Sequence, residues 1–189
     1  MSQSELLVRV IGALQKAGLA YMITGGLASS MQGEPRTTHD LDLVIDLPES
    51  GVHALLAAFP PPDYCLDEDS VREAVANKST FNLIETKDGD KVDFWLLTEE
   101  PFDRSRFARR RREVFMGMEM AVSSPEDTIL AKLRWAVLSG GSEKHFHDAL
   151  RIYEVQYACL DFDYLERWVA ELGVAGLWRR LKKEAEVLS

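Results

Sequence analysis

Between Tyr21 and Asp46 the chain reads YMITGGLASSMQGEPRTTHDLDLVID, the stretch that most restricts how it can fold. An apolar run ends in Gly25-Gly26, a polar segment follows, and Asp40-Leu41-Asp42-Leu43 opens a second apolar run. Alternate side chains of a strand share a face, so Asp40 and Asp42 point the same way, about 6–7 Å apart. That reach suits two oxygen-seeking metal ions about 3.5–4 Å apart, as phosphoryl-transfer sites require. The Gly25-Gly26 turn presents bare backbone N–H groups at the start of a helix, where a phosphate settles. One short segment thus combines metal carboxylates with a phosphate cradle.

The composition sets wide bounds around this segment. At 189 residues, 46% hydrophobic and 28% charged, the chain can bury a real core. It has no apolar run of about 18 residues, which excludes a transmembrane helix. The opening MSQSELLVRVIGAL carries an early acid and no small-residue cleavage pattern, so a signal peptide is not expected. Cys65 and Cys159 lack metal spacing and read as isolated thiols of a reducing, cytoplasmic protein. A net charge of −9 argues against a general nucleic-acid coat. One basic patch, Arg104, Arg106 and Arg109 to Arg112, reads either as a solvated helix face or as a surface for phosphates.

The patterning predicts an α+β fold in which a mixed β-sheet core with flanking helices is followed by a C-terminal helical subdomain. Ser2 and Glu5 form a capping box ahead of a helix that stops at Gly18. Strands are predicted at Tyr21–Thr24, Leu41–Ile45, Thr80–Glu85, around Lys91–Leu96 and around Val114–Val122. Short helices are predicted at Gly26–Met31, from Pro48 to Phe59, at Ser70–Asn77 and around Phe102–Arg109, while Asp67-Glu68-Asp69 reads as a solvated loop. Asp88-Gly89 marks a hairpin turn. The character changes at Ser124-Pro125, an N-cap followed by proline, which places the boundary between 1–122 and 123–189. Helices follow at Pro125–Leu138, Glu143–Gln156, Phe162–Glu171 and Val174–Val187, with Trp135, Trp168 and Trp178 read as core. Asp93 stands between Val92 and Phe94, and a carboxylate in such apolar company needs a partner, which a metal ion supplies.

GGLAS, RTTHDLDLVID and KVDFW, in that order, resemble the polymerase-β type nucleotidyltransferase superfamily. The downstream SSPEDTILAKLRWAVLSGGSEKHFHDALRIYEV is similar to the AbiEii-type members found in toxin–antitoxin and abortive-infection systems. That resemblance rests on Pro125-Glu126-Asp127, Lys132, and Lys144 with Asp148, and on Arg36, Thr38, Asp40 and Asp42. It departs where Ser29 stands three positions after the turn and where His145 and His147 crowd Lys144 and Asp148.

The resemblance implies transfer of a nucleoside monophosphate from an NTP to an acceptor hydroxyl, with pyrophosphate leaving. Asp40 and Asp42 would hold Mg²⁺ (or Mn²⁺), and Asp93 would complete the site beside the acceptor. Gly25, Gly26 and Ser29 would hold the triphosphate, with Arg36 and Thr38 near it and Lys132 on a phosphate. Asp148 would assist deprotonation or position the acceptor, unless it pairs with Lys144 at i, i+4. The resemblance points first to tRNA as the acceptor, in a toxin–antitoxin pair with a cognate protein partner, with a small antibiotic or a protein as the alternatives. The reading from another class is an inactive binding module on the same fold.

Overall fold

The computed structural model describes residues 2–35 and 41–187. By their internal contacts the residues fall into two units, Met1–Gly26 with Thr38–Val122, and Leu27–Thr37 with Ser123–Ser189.

The first unit is built on a seven-stranded mixed sheet. Its strands are β1 (Ala20–Thr24), β2 (Leu41–Asp46), β3 (Tyr64–Cys65), β4 (Thr80–Glu85), β5 (Lys91–Leu96), β6 (Arg111–Phe115) and β7 (Met118–Val122). They lie in the order β3-β4-β5-β2-β1-β7-β6, with β2–β5 and β1–β7 parallel and the other neighbours antiparallel. The central strands are apolar on one face: Ile23, Leu43, Ile45, Val92 and Phe94 are all nearly or fully buried there. Phe81 and Phe94 stack on that face with ring centroids 4.8 Å apart. Helices α1 (Gln3–Lys16), α3 (Val52–Ala58) and α4 (Glu68–Asn77) form a packed row joined to β1 and β4. On the opposite face, Met22 and Val44 are covered at one end by Phe107 of α5 (Pro101–Ala108) and by Leu97.

Local chemistry explains most element ends. The Ser2–Glu5 capping box is formed as the sequence predicts, and Gly18 ends α1 with φ +66°. The β4–β5 hairpin turns through Gly89 at φ +78°. Its buried Glu85 carboxylate accepts the Lys87 and Asp88 N–H groups at 3.1 and 2.8 Å. Three expectations are corrected. Asp67 is the N-cap of α4, accepting from the Ser70 N–H at 2.8 Å, with Glu68 and Asp69 in the first turn instead of a loop. The helix expected from Pro48 begins as a single 3₁₀ turn, Glu49–Gly51. The strand expected over 114–122 is instead the end of β6, a turn at Met116-Gly117, both at positive φ, and the whole of β7.

The second unit is helical: α6 (Pro125–Leu138), α7 (Glu143–Gln156), α8 (Phe162–Glu171) and α9 (Ala175–Glu184), with the end of α2 (Gly25–Gln32). Tyr153 packs edge-on against Trp178, 5.5 Å between centroids. Trp168 and Trp178 are core, as expected, but Trp135 is 45% exposed. Glu126 and Asp127 are fully buried at the start of α6. Tyr164 donates to Asp127 at 2.6 Å, and the Asp161 N–H donates to Glu126 at 3.1 Å, tying α8 to α6. Among the described residues no helix is long and apolar enough to cross a membrane.

Candidate active site

The register of four strands assembles a polar row across one face of the sheet. Thr24 of β1 is opposite Asp42 of β2, Asp42 is opposite Asp93 of β5, and Asp93 is opposite Asn82 of β4. Register partners share a face and stand about 4.8 Å apart between strands. The next row inward is Met22, Val44, Trp95 and Thr80. Asp42 and Asp93, 51 positions apart in the sequence, are thus immediate neighbours.

β1 leads without a loop into α2 at Gly25. Gly25 has φ +64°, and a Cβ built there would lie 2.1 Å from Oδ2 of Asp42. Only glycine lets the helix start come so close to this carboxylate, and the position favours negative charge. The other carboxylate oxygen, Oδ1, accepts from the indole Nε1 of Trp95 at 3.3 Å. Asp42 therefore stands between the helix start and an aromatic ring. Asp93 is half-buried and pairs with Lys91, two residues back on the same face, at 2.8 Å. The partner that its apolar flanks demand is present within the chain.

We expect Gly25→Ala to destabilise the chain by about 1–3 kcal/mol, because it adds both left-handed strain and a clash with Asp42. Denaturant unfolding measures this, and an unchanged midpoint would show that the turn tolerates a Cβ.

The remaining expected site residues are spread over both units or are outside the described residues. Arg36, Thr38 and Asp40 belong to the latter group. Gly26 follows Gly25 in the first turn of α2, and Ser29, further along that helix, is only 4% exposed. In the helical unit, Lys132 of α6 donates to Oδ2 of Asp148 on α7 at 2.7 Å, with both side chains under 10% exposed. Asp148 is thus paired with a residue 16 positions away, which a search for i, i+4 partners overlooks. In the same unit the end of α2 is held to the helices. Gln32 donates to the Ser123 carbonyl, and Gln156 donates to the Gln32 carbonyl at 2.9 Å.

The basic patch is largely answered by its own surroundings. Arg104 pairs with Glu99, Arg106 with Asp103 at 3.0 Å and Arg112 with Glu119 at 2.8 Å. Arg110 lies 4.3 Å over the Phe107 ring and donates to its carbonyl.

Trp95, the last residue of KVDFW, and Asn82 stand in the site but are not among its expected residues. Strand alternation from Asp93 reaches Trp95, whereas Asn82 needs the hairpin register. Among the described residues no group of three or more His, Cys, Asp or Glu converges as a metal cage. Asp42 and Asp93 are nonetheless two hard oxygen donors on neighbouring strands facing one way, which suits Mg²⁺ or Mn²⁺.

The family model for aminoglycoside-2''-adenylyltransferase matches residues 6–158. The solution structure of the antibiotic-resistance factor ANT(2'')-Ia is similar with a TM-score of 0.54 at 15% identity, over 96% of this chain and 95% of that one. The crystal structure of ANT(2'')-Ia in complex with adenylyl-2''-tobramycin gives 0.55 at 15% identity, over 91% and 97%. At that identity the likeness establishes the fold. No curated protein matches the chain.

Proposed function

The chain belongs to the aminoglycoside-2''-adenylyltransferase family, and from that premise we propose that this nucleotidyltransferase moves the adenylyl group of ATP onto a hydroxyl of an aminoglycoside-class acceptor. The acceptor oxygen forms a bond to the α-phosphorus, the bond to the bridging oxygen breaks, and pyrophosphate leaves with that electron pair. The observation that carries this reading is the row Asp42–Asp93 beside the glycine-opened start of α2.

Each residue then has a task. The backbone at Gly25 and Gly26 orients the triphosphate at a helix start. Asp42, with Asp40, would hold Mg²⁺ or Mn²⁺, and Asp93 would take part from the neighbouring strand. A bound divalent ion neutralises charge developing on the phosphoryl oxygens. Asp93 would also receive the proton of the acceptor hydroxyl, with Lys91 balancing its charge beforehand. We assign Ser29, Arg36 and Thr38 to the surroundings of the triphosphate. Lys132 and Asp148, each answering the other's charge, we assign to holding α6 on α7.

Charge supports this acceptor class. A net charge of −9 draws an amino-sugar polycation towards the protein and repels a polyanion. A tRNA acceptor, as in AbiEii-type toxin–antitoxin pairs, calls for cationic side chains open to its phosphates. Those of Arg104, Arg106 and Arg112 are engaged with carboxylates instead.

The test supplies the purified chain with ATP, Mg²⁺ and, in parallel, tobramycin, other aminoglycosides, total tRNA and a protein pool. We expect adenylylated aminoglycoside by mass spectrometry, pyrophosphate in equal amount, and loss of both in excess chelator. Labelled nucleotide appearing in tRNA or protein alone would overturn the acceptor assignment. Turnover undiminished by chelator would remove the metal.

A further inference from the structure

Trp95 leaves 37% of its surface in water on the face that carries Asp42 and Asp93. Its neighbours in the same row divide sharply. Val44, on the β2 side, is 2% exposed, whereas Thr80, on the β4 side, is exposed. Asn82, one row along and beside Asp93, is exposed too. The indole thus borders a shallow shelf of β4–β5 whose upright groups are a hydroxyl, an amide and a carboxylate.

Its place relative to Asp42 gives the shelf a direction. Oδ2 of Asp42 crowds Gly25 on the β1 side, where the triphosphate is assigned, and Oδ1 accepts from Trp95 on the β5 side. Across the sheet the order is helix start, Asp42, then Asp93 with Trp95. With phosphate at one end of that line, the attacking hydroxyl must approach from the other. The Nε1 bond also fixes the ring orientation beforehand, which lowers the ordering cost when a ligand settles on it.

We propose that Trp95 is the acceptor platform of this site. The exposed part of its indole takes the apolar face of one amino-sugar ring and the ammonium groups that ring carries, while Asn82 and Thr80 bond its hydroxyls. Tryptophan is the strongest aromatic partner for a cation, and its large flat surface matches a pyranose ring. The inference rests on the aminoglycoside-class reading above.

Steady-state kinetics of Trp95→Ala and Trp95→Phe, with ATP and an aminoglycoside that the unmodified chain adenylylates, test it. Trp95→Ala should raise the acceptor KM about tenfold, leaving the ATP KM within about twofold and kcat within about threefold. Trp95→Phe keeps a ring but loses the N–H, and should hold the acceptor KM within about threefold. An unchanged acceptor KM in Trp95→Ala overturns the platform. A fall in kcat alone, equal in both variants, overturns it as well, because Trp95 would then act only by orienting Asp42. In the unmodified chain the indole N–H resonance missing from Trp95→Phe should shift when acceptor is added without nucleotide, and no shift is a second way to lose the proposal. If the unmodified chain modifies no aminoglycoside, the parent reading falls and takes this one with it. Transfer that persists with an unaltered acceptor KM in Trp95→Ala removes the platform alone.

Discussion

Asp42→Ala should abolish adenylyl transfer, lowering kcat/KM by at least about 10³-fold, while the chain still folds. The carboxylate touches both ends of the proposed reaction path, the helix start at Gly25 and the ring of Trp95. Its removal deletes a hard oxygen donor, and the methyl group left behind offers no substitute for one. The structural cost is small by comparison. Asp42 is half-buried at the start of β2, its flanks Leu41 and Leu43 stay buried on the other face, and crowding at Gly25 is relieved. Loss of the Trp95 bond removes about 1 kcal/mol. Measured together, turnover and denaturant unfolding should part company. Transfer within tenfold of the unmodified chain would take Asp42 out of the reaction. A variant that cannot fold would make Asp42 structural first.

The element pattern was legible because it is local. Periodicity and caps place α6, α7 and α8 to the residue, and Asp88-Gly89 announces its hairpin. The β6–β7 hairpin was not legible, since Met116 adopts φ +52° without the Asn-Gly or Asp-Gly pair that usually marks a tight turn. For the site, Gly25, Asp42 and Asp93 could be named from motif and alternation. Their adjacency could not, because it depends on β2 pairing in parallel with β5 in one register, and a slip of one residue would turn Asp93 to the other face. Partners of buried charges were the least legible. Asp148 is answered by Lys132, 16 positions away, and Asp127 by Tyr164, 37 positions away. Such pairs depend on packing between elements, which no spacing rule within one helix encodes.

The Lys132–Asp148 pair carries the second large prediction. Lys132→Met should cost about 3–5 kcal/mol, because it leaves the Asp148 carboxylate under 10% exposed without its counter-charge. The mirror change, Asp148→Leu, should cost a similar amount by stranding the ammonium. Both changes together should restore most of the loss, since two apolar side chains of similar size fill the same space without charge to compensate. That cycle separates scaffold from chemistry. If the pair only holds α6 on α7, the double variant transfers adenylyl groups within about threefold of the unmodified chain. If Lys132 meets a phosphate or Asp148 handles the acceptor proton, the double variant regains its unfolding midpoint yet stays inactive. We expect the first result. The buried contact at 2.7 Å already satisfies both charges, and a lysine that must reach a phosphate would first have to break it.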